Sequence, residues 1–175
     1  MSNIVKLPSA KYLQACFNYS PKTGNLRWKV RPRNHFPDEH TWSMWNTKFA
    51  NTNAGYIRKG YLRVGLYYRH YAVHRIIWKW MTGKEPFRSI DHKDGNPFNN
   101  RWGNLRDASH QEQMWNSRFQ KNNTSGYRGV WPYSSKWRAA ISGKHLGTFS
   151  TPQKAAAAYR AAARKMHGEF HRDGK

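Results

Sequence analysis

Residues 89–116 (SIDHKDGNPFNNRWGNLRDASHQEQMWN) concentrate the side chains of this sequence that can do chemistry. The chain has nine acidic residues against 31 lysines and arginines. Four of the nine acidic residues lie in this stretch: Asp91, Asp94, Asp107 and Glu112. The same stretch contains two histidines and five asparagines. The adjacent Asp91 and His92 are the pair best suited to metal and acid–base chemistry.

Asp91 and His92 supply the residue types that hydrolysis of a phosphodiester needs. That reaction requires a base to activate water, a cation to neutralise charge in the transition state, and a geometry that holds both in line. His92 is a base with an ordinary pKa of about 6.5, close to working pH. Asp91 offers a hard oxygen to Mg²⁺, which typically takes only one or two protein ligands of this kind. A protein that binds a polyanion is expected to keep its carboxylates few and to place neutral Asn and Gln oxygens beside them.

The elements around this pair must present both side chains to one phosphate. The segment RSIDH predicts a short strand, and DGNP predicts a turn directly after it. Neighbours in a regular strand point to opposite faces. We therefore expect the strand to end or bend at His92.

A helix is predicted to follow the turn and its loop. Ser109 and Glu112 have the spacing of a capping box, which places a helix at about residues 110–119. Gln113 and Asn116, three residues apart, would share one face of this helix.

The flanking sequence predicts further short elements. Upstream, we expect a helix over 9–17, a strand around LRWKV, a hairpin from Tyr61 to His74 and a helix that ends at Gly83. Residues 31–53 have no clear period. Downstream, QKNNTS (120–125) has the composition of a linker.

The C-terminal segment predicts three strands and one helix. YRGVWPY, WRAAIS and HLGTFS are separated by tight turns, and Thr151 with Pro152 begins the helix. An apolar stripe at helical spacing should cover the sheet: Ala155, Ala158, Tyr159, Ala162, Ala163 and Met166. On the central strand, Trp137, Ala139 and Ile141 should face this helix.

The net charge of +22 is spread over the whole chain and is accompanied by 15% aromatic residues. This combination favours a nucleic-acid partner, with an acidic membrane surface and a ribosomal partner as alternatives. No apolar stretch approaches the roughly 20 residues that span a bilayer, and the N-terminus lacks the apolar core of a secretion signal, so we expect a cytoplasmic protein without a membrane partner. Cys16 is the single cysteine, so a thiolate zinc site is excluded and a small buried residue is expected.

Two segments carry a resemblance to known families. VHRIIWKWMTG together with IDHKDGNPFNNRWGNLRDASHQEQMWN resembles the HNH endonucleases of phages and mobile introns, and residues 126–170 resemble the AP2 DNA-binding domain that often follows such nucleases. The resemblance implies an α+β protein: a ββα-metal nuclease domain in residues 1–119 (motif 74–116), a linker at 120–125, and a three-stranded antiparallel sheet with one helix in 126–170.

The nuclease resemblance assigns roles to individual residues. His92 takes the place of the general base, Asp91 that of a metal ligand, and Asn104 that of the residue that fixes the loop and orients the histidine. Where the family commonly carries Asn or His as the second ligand, this chain has Gln113, and Asn116 lies one turn later. One Mg²⁺ or Mn²⁺ per active site is implied.

Other polar residues of the motif have two interpretations each. His74 is either near the scissile phosphate or a hydrogen-bonded structural histidine. Asp94 and Asn96 are expected to form the turn rather than to bind metal. His110 is expected at a solvated helix end.

Double-stranded DNA is the partner that the resemblance implies. AP2 sheets read the major groove with one face, and the small Ala140 and Ser142 favour phosphate contacts over base discrimination here. The candidate DNA-binding residues are Arg106, Arg118, Arg128, Trp131, Lys136, Arg138 and Lys144.

The sequence thus predicts a metal-dependent DNA endonuclease of phage homing type. The alternative is a non-catalytic DNA-binding regulator that keeps the ββα scaffold, and a ribosome-associated RNA binder is a third hypothesis. The oligomeric state, monomer or weak dimer, is left open.

Overall fold

The computed structural model describes residues 5–117 and 123–171. The chain divides into two compact units, Met1–Ala108 and Ser109–Lys175. The helix that begins after Ser109, which the sequence placed in the nuclease domain, clusters with the C-terminal unit. The domain limits at 119 and 126 stay a prediction.

The first unit combines three helices with short antiparallel strands. The helices are α1 (Ala10–Cys16), α2 (Glu39–Phe49) and α3 (Val73–Thr82). The strands are β1 (Phe17–Tyr19), β2 (Leu26–Trp28), β3 (Tyr56–Arg58), β4 (Tyr61–Leu66), β5 (Arg69–Ala72), β6 (Ser89–His92) and β7 (Leu105–Ala108). They pair as β1-β2, β3-β4-β5 and β6-β7.

The predicted helices of this unit are confirmed, and their ends have local causes. Ser9 caps α1 by accepting a hydrogen bond from the Tyr12 N–H, and Gly83 ends α3 in the left-handed region at φ 75°. Helix α2 lies in the segment to which no element was assigned. The side chain of Asp38 caps it, and none of its residues is fully buried. Trp45 and Phe49 pack against the core, but the apolar Met44 is 60% exposed, so the apolar residues of the segment do not mark a single face.

Aromatic rings fill much of the core of the first unit. Phe17 packs on Trp28 with ring centroids 4.4 Å apart, and Trp28 meets Trp45 edge-on at 4.8 Å. Cys16 is fully buried beside them, as predicted. Ile76 and Ile77 of α3 are also fully buried, so α3 is fixed against this core.

The described residues of the second unit, 109–117 and 123–171, form two α-helices and one three-stranded sheet. The helices are α4 (His110–Asn116) and α5 (Pro152–His167). The strands are β8 (Val130–Tyr133), β9 (Lys136–Ile141) and β10 (Lys144–Phe149), in the antiparallel order β10-β9-β8. The capping box of α4 and the Thr151 cap with Pro152 in the first turn of α5 are confirmed. Helix α4 ends at Asn116 and Ser117 is extended, so the predicted continuation toward residue 119 is wrong at Ser117, while residues 118–119 lie outside the described residues.

Helix α5 covers one face of the sheet with its small residues. Ala139 and Ile141 of β9 are buried against it and Trp137 is half-buried there, as predicted. The buried residues of the helix are Ala155, Ala156, Tyr159, Ala163 and His167. The predicted stripe is therefore wrong at its C-terminal end: Met166 is 45% exposed. His167 takes the inward position because its ring stacks on Trp115.

Candidate active site

The hairpin β6–β7 fixes the backbone of the two candidate catalytic residues. Asp91 lies opposite Arg106, and His92 lies opposite Leu105. The strand ends at His92, and the Gly95 N–H donates to the His92 carbonyl at 2.8 Å to close the turn. The expectation that the strand ends here is confirmed.

The imidazole of His92 is buried and contacts the side chain of Asn100. The distance from His92 Nε2 to Asn100 Oδ1 is 3.2 Å, and the two residues are 5% and 2% exposed. Asn100 Nδ2 faces the Phe98 carbonyl at 3.4 Å, which directs Oδ1 to the histidine. An amide oxygen only accepts, so this contact is a hydrogen bond in the tautomer that carries the imidazole proton on Nε2 and the lone pair on Nδ1. In that tautomer Nδ1 is the ring nitrogen that can take a proton.

The surroundings of His92 keep it neutral near neutral pH. Burial lowers the pKa of His92, and this effect exceeds the opposite influence of the Asn100 hydrogen bond and the Asp94 and Asp91 carboxylates. An unprotonated base is the form that can accept a proton from water.

His74 is in direct contact with the candidate base. It lies in the first turn of α3, with its ring centroid 5.2 Å from that of His92 at an interplanar angle of 83°. On its other side it meets the ring of Tyr61 at 5.7 Å. Burial, followed by the neighbouring His92, lowers the pKa of His74 to about 3, so it carries no charge near neutral pH. The structure brings His74 to the site, and a contact with the phosphate stays a prediction.

Asn104 holds the loop that follows the strand. Its Oδ1 accepts from the Asp94 N–H at 3.1 Å, and its Nδ2 donates to the Asn99 carbonyl at 2.7 Å and to Asp94 Oδ1 at 3.0 Å. These hydrogen bonds fix the loop, as predicted for Asn104. The contact that orients His92, assigned to Asn104 from the sequence, is made by Asn100.

Asp94 and Asn96 form the turn, as expected. Asp94 accepts from the Asn96 N–H at 2.8 Å, and Asn96 Oδ1 accepts from the Phe98 N–H at 3.1 Å. Burial on its own raises the pKa of Asp94, but the bonds from Asn96, Asn99 and Asn104 outweigh it and the pKa lies below its usual value. The carboxylate is thus ionised and used by the loop.

Asp91 forms a buried ion pair with Arg106. Arg106 donates from Nε and Nη2 to Asp91 Oδ2 at 2.9 and 2.8 Å. The two side chains are only 7% (Arg106) and 12% (Asp91) exposed. The guanidinium predicted to contact phosphate thus holds the candidate metal ligand.

The remaining candidate ligands lie on α4 in the second unit. Gln113 is half-buried and Asn116 is 4% exposed. Their side-chain oxygens, like those of Asp91, are hard oxygens, the ligand type that Mg²⁺ or Mn²⁺ prefers over softer metals. Within residues 5–117 and 123–171, no three His, Cys, Asp or Glu side chains cluster as a metal site. His110 is exposed at the start of the helix, as expected.

The outer face of the C-terminal sheet carries three of the predicted DNA-binding residues, Trp131, Lys136 and Arg138. Trp131 lies opposite Arg138 in the register of β8 and β9 and is 42% exposed. The Arg138 guanidinium lies 3.3 Å above the centre of the Tyr133 ring. Lys136 is exposed on this face; Lys144 is exposed too, but it lies opposite Ile141 and therefore on the side of the sheet that faces α5.

Arg128 and Arg118 differ from that pattern. The sequence predicted Arg128 to be a DNA-binding residue, and its guanidinium donates to the backbone carbonyls of Trp115 and Ser117. Arg118 lies outside the described residues.

Among the residues that the structure describes, no helix is both long enough and apolar enough to cross a membrane.

The segment that contains this site matches a known protein family. Residues 71–115, which run from β5 through both hairpin strands into α4, match the family model of the HNH endonuclease. They contain Asp91, His92, Asn100 and Asn104. The class that the motif and its hairpin define is thus the HNH endonuclease domain.

A curated relative extends the match beyond this domain. Protein 3.8 of Escherichia phage T7 is 35% identical over 123 residues, which cover 66% of this chain and 98% of that protein. The chain belongs to the family of this phage protein and carries an HNH endonuclease domain. No solved structure shows a significant match to the chain.

Asn100 is the residue of the site that sequence reasoning missed. It belongs to the adjacent pair Asn99 and Asn100, in a loop rich in amides. Asn99 turns outward to Asp94, whereas Asn100 is anchored by its backbone carbonyl, which accepts from the buried Tyr19 hydroxyl at 2.8 Å. Tyr19 lies 81 residues earlier in the chain. No local pattern reports such a contact.

Proposed function

We propose that this protein is a divalent-metal-dependent DNA endonuclease of phage homing type, which hydrolyses phosphodiester bonds in double-stranded DNA. The observation that carries the proposal is the buried His92 at the end of β6, with its Nε2 proton directed to Asn100 and its pKa lowered by burial. This arrangement, in a chain that carries an HNH endonuclease domain, is that of a general base.

In the proposed reaction His92 accepts a proton from water through Nδ1 while the water attacks phosphorus. Asn100 retains the tautomer, and Asn104 keeps the loop from residue 93 to 104 in place. Asp91 with Gln113 or Asn116 would hold one Mg²⁺ or Mn²⁺. When bound, the cation supplies charge neutralisation at the phosphate and at the departing 3′-oxygen.

The C-terminal sheet is proposed to be an AP2-like module that binds duplex DNA. Its open face combines the exposed Trp131 with Lys136 and Arg138, and Lys144 is exposed beside the turn between β9 and β10. Acidic side chains are absent from residues 108–168 apart from Glu112. Cations of this kind release counterions from phosphates, and a flat ring can lie on the sugar-phosphate backbone.

Supercoiled plasmid tests the proposed activity. Wild type should nick or linearise the plasmid with Mg²⁺ or Mn²⁺ and should stop when EDTA is added. His92→Ala, purified in the same way, should be inactive. Equal nicking by His92→Ala would identify a contaminating nuclease and defeat the assignment.

A second candidate function is a DNA-binding regulator that keeps the ββα scaffold. The observation that favours it is the ion pair of Asp91 with Arg106, since it uses the charge of the candidate metal ligand inside the protein. Specific duplex binding without cleavage in any divalent metal, and with the same affinity in Asp91→Asn, would support this alternative.

A further inference from the structure

Helix α4 carries both candidate amide ligands and is too short to be stable alone. It spans seven residues, His110–Asn116. Isolated helices shorter than roughly 12 residues are marginal in water, so the position of α4 depends on the contacts that anchor it. Its N-terminus has the capping box of Ser109 and Glu112. Its C-terminus needs partners for carbonyls that no longer have an intrahelical donor.

Arg128 supplies those partners. Its Nη1 donates to the Trp115 carbonyl and its Nη2 donates to the Ser117 carbonyl. These two carbonyls flank Asn116 in the chain. A cation at this end of a helix is also favoured by the helix dipole. The planar guanidinium bridges two acceptors at once, which a lysine ammonium on its flexible stem does not reproduce.

The base of the Arg128 side chain is itself fixed to the sheet. The next residue, Gly129, has φ 63° and its carbonyl accepts from the Ala140 N–H at 3.0 Å. A Cβ at this position would collide with the ring of Tyr159 on α5 and with the Ala140 carbonyl. Only glycine is accommodated there without strain, so the backbone beside Arg128 is held in one place.

A ring stack anchors the same end of α4 to the end of α5. Trp115 and His167 lie nearly parallel, with centroids 4.3 Å apart and planes at 10°. His167 is 6% exposed. The short 3₁₀ turn at Gly168–Phe170 packs on α4 as well. The C-terminal end of α4 is therefore held from the sheet by Arg128 and from α5 by His167.

We infer that Arg128 is a positioning residue, which fixes the helix that carries Gln113 and Asn116, and that it is not a phosphate contact. The inference rests on the proposed function only for the metal-binding role of that helix. Arg128 then differs in kind from Arg138, whose guanidinium lies over Tyr133 on the open face of the sheet.

Three variants of the full chain test this distinction: Arg128→Lys, Arg128→Gln and the control Arg138→Gln. Amide hydrogen exchange of peptides within residues 110–117 is the primary measurement. Both Arg128 variants should raise exchange in α4 while the peptides of β8–β10 keep their protection, and Arg138→Gln should change neither. Mn²⁺ affinity, followed by electron paramagnetic resonance without DNA, should fall about tenfold or more in both Arg128 variants, since partners that orient ligands have effects of this size.

Duplex affinity at several salt concentrations separates the two roles of an arginine. Arg128→Lys keeps the positive charge but loses the bridge, so a phosphate contact would survive in it. If Arg128→Lys matches wild type in exchange and Mn²⁺ affinity, and Arg128→Gln loses duplex affinity as Arg138→Gln does, the inference is overturned. Unchanged exchange of α4 in both Arg128 variants also overturns it.

The role of Arg128 can still be decided if a variant unfolds or if the proposed function fails. If Arg128→Gln unfolds the unit, seen as lost protection in β8–β10, the comparison of Arg128→Lys with wild type decides by the same criteria. If wild type neither binds Mn²⁺ nor cleaves DNA, the proposed function fails, and the exchange of α4 still decides whether Arg128 fixes the helix.

Discussion

The two units of this protein use their polar residues in opposite ways. Around His92, polar side chains are buried and paired, as in the contacts of His92 with Asn100 and of Asp91 with Arg106. On the open face of the C-terminal sheet, Trp131 and Lys136 are exposed to solvent. The first arrangement fixes geometry and shifts pKa values, as a catalytic site requires. The second leaves charge available to a polyanion, as a binding surface requires.

The largest expected effect is that of His92→Ala, which should remove DNA cleavage and leave DNA binding intact. His92→Ala should lower the rate of plasmid cleavage about a hundred- to ten-thousandfold, which is the contribution typical of a general base. Its affinity for duplex DNA should stay within about twofold of wild type, because the proposed binding face lies in the other unit. Rates under single-turnover conditions and a gel-shift titration check both values. A parallel loss of binding would break the division between the units.

Substitutions of Asn100 and Asn104 should have different effects on the pH–rate profile of cleavage. Asn100→Ala should lower cleavage about ten- to a hundredfold, because His92 loses the acceptor that fixes its tautomer. Asn100→Asp should place a carboxylate against the imidazole, raise the pKa of His92 and move the acidic limb of the pH–rate profile to higher pH. Asn104→Asp is the matched control, since Asn104 bonds to the loop.

In the wild-type pH–rate profile, the burial of His92 determines where the acidic limb lies. The pKa of His92 is lowered, so activity should rise with pH through a value below about 6.5 and be flat above it. An acidic limb centred well above that value in wild type, or an equal shift in Asn100→Asp and Asn104→Asp, would contradict the assigned contact.

His74 should make the stability of the first unit depend on pH. Its pKa of about 3 lies below that of an unfolded histidine. The unfolded state therefore binds more protons, and the contribution is complete above about pH 6.5 and is lost as pH falls. Between about pH 6.5 and 5, the free energy of unfolding should fall by about 2 kcal/mol more in wild type than in His74→Phe. Denaturant titrations at both pH values measure the difference, and identical slopes for the two proteins would contradict it.

The smallest effect is expected at the open sheet face. The double variant Lys136→Gln/Arg138→Gln should weaken duplex binding about tenfold and reduce the slope of log affinity against log salt by about 2, one contact for each cation. Cleavage at saturating protein should be near that of wild type. An unchanged salt slope would remove these two residues from the interface.

The sequence predicted the elements of the site better than its contacts. The β6 strand, the turn after it and the α4 capping box follow from local rules on Gly, Pro, Ser and Glu spacing, and all three are present. The Asn100 contact and the Asp91 pair with Arg106 depend on tertiary packing and on the register of a second strand, β7, which local patterns do not define.

The same contrast applies to the C-terminal unit. Alternation predicted correctly that Ala139 and Ile141 face α5. Alternation does not extend to Arg128, which precedes β8 and binds the carbonyls at the end of α4. The helical stripe failed at Met166, because the ring of Trp115 draws His167 inward instead. Positions set by contacts between distant segments are thus the ones that the sequence misplaced.

The central claim is that His92 is a neutral base whose proton lies on Nε2. A long-range ¹H–¹⁵N correlation spectrum of the imidazole nitrogens near neutral pH tests it, with His92→Ala to assign the signals. The account predicts a protonated Nε2 and an unprotonated Nδ1 for His92, and a loss of this preference in Asn100→Ala. A proton on Nδ1, or a doubly protonated ring, would contradict it.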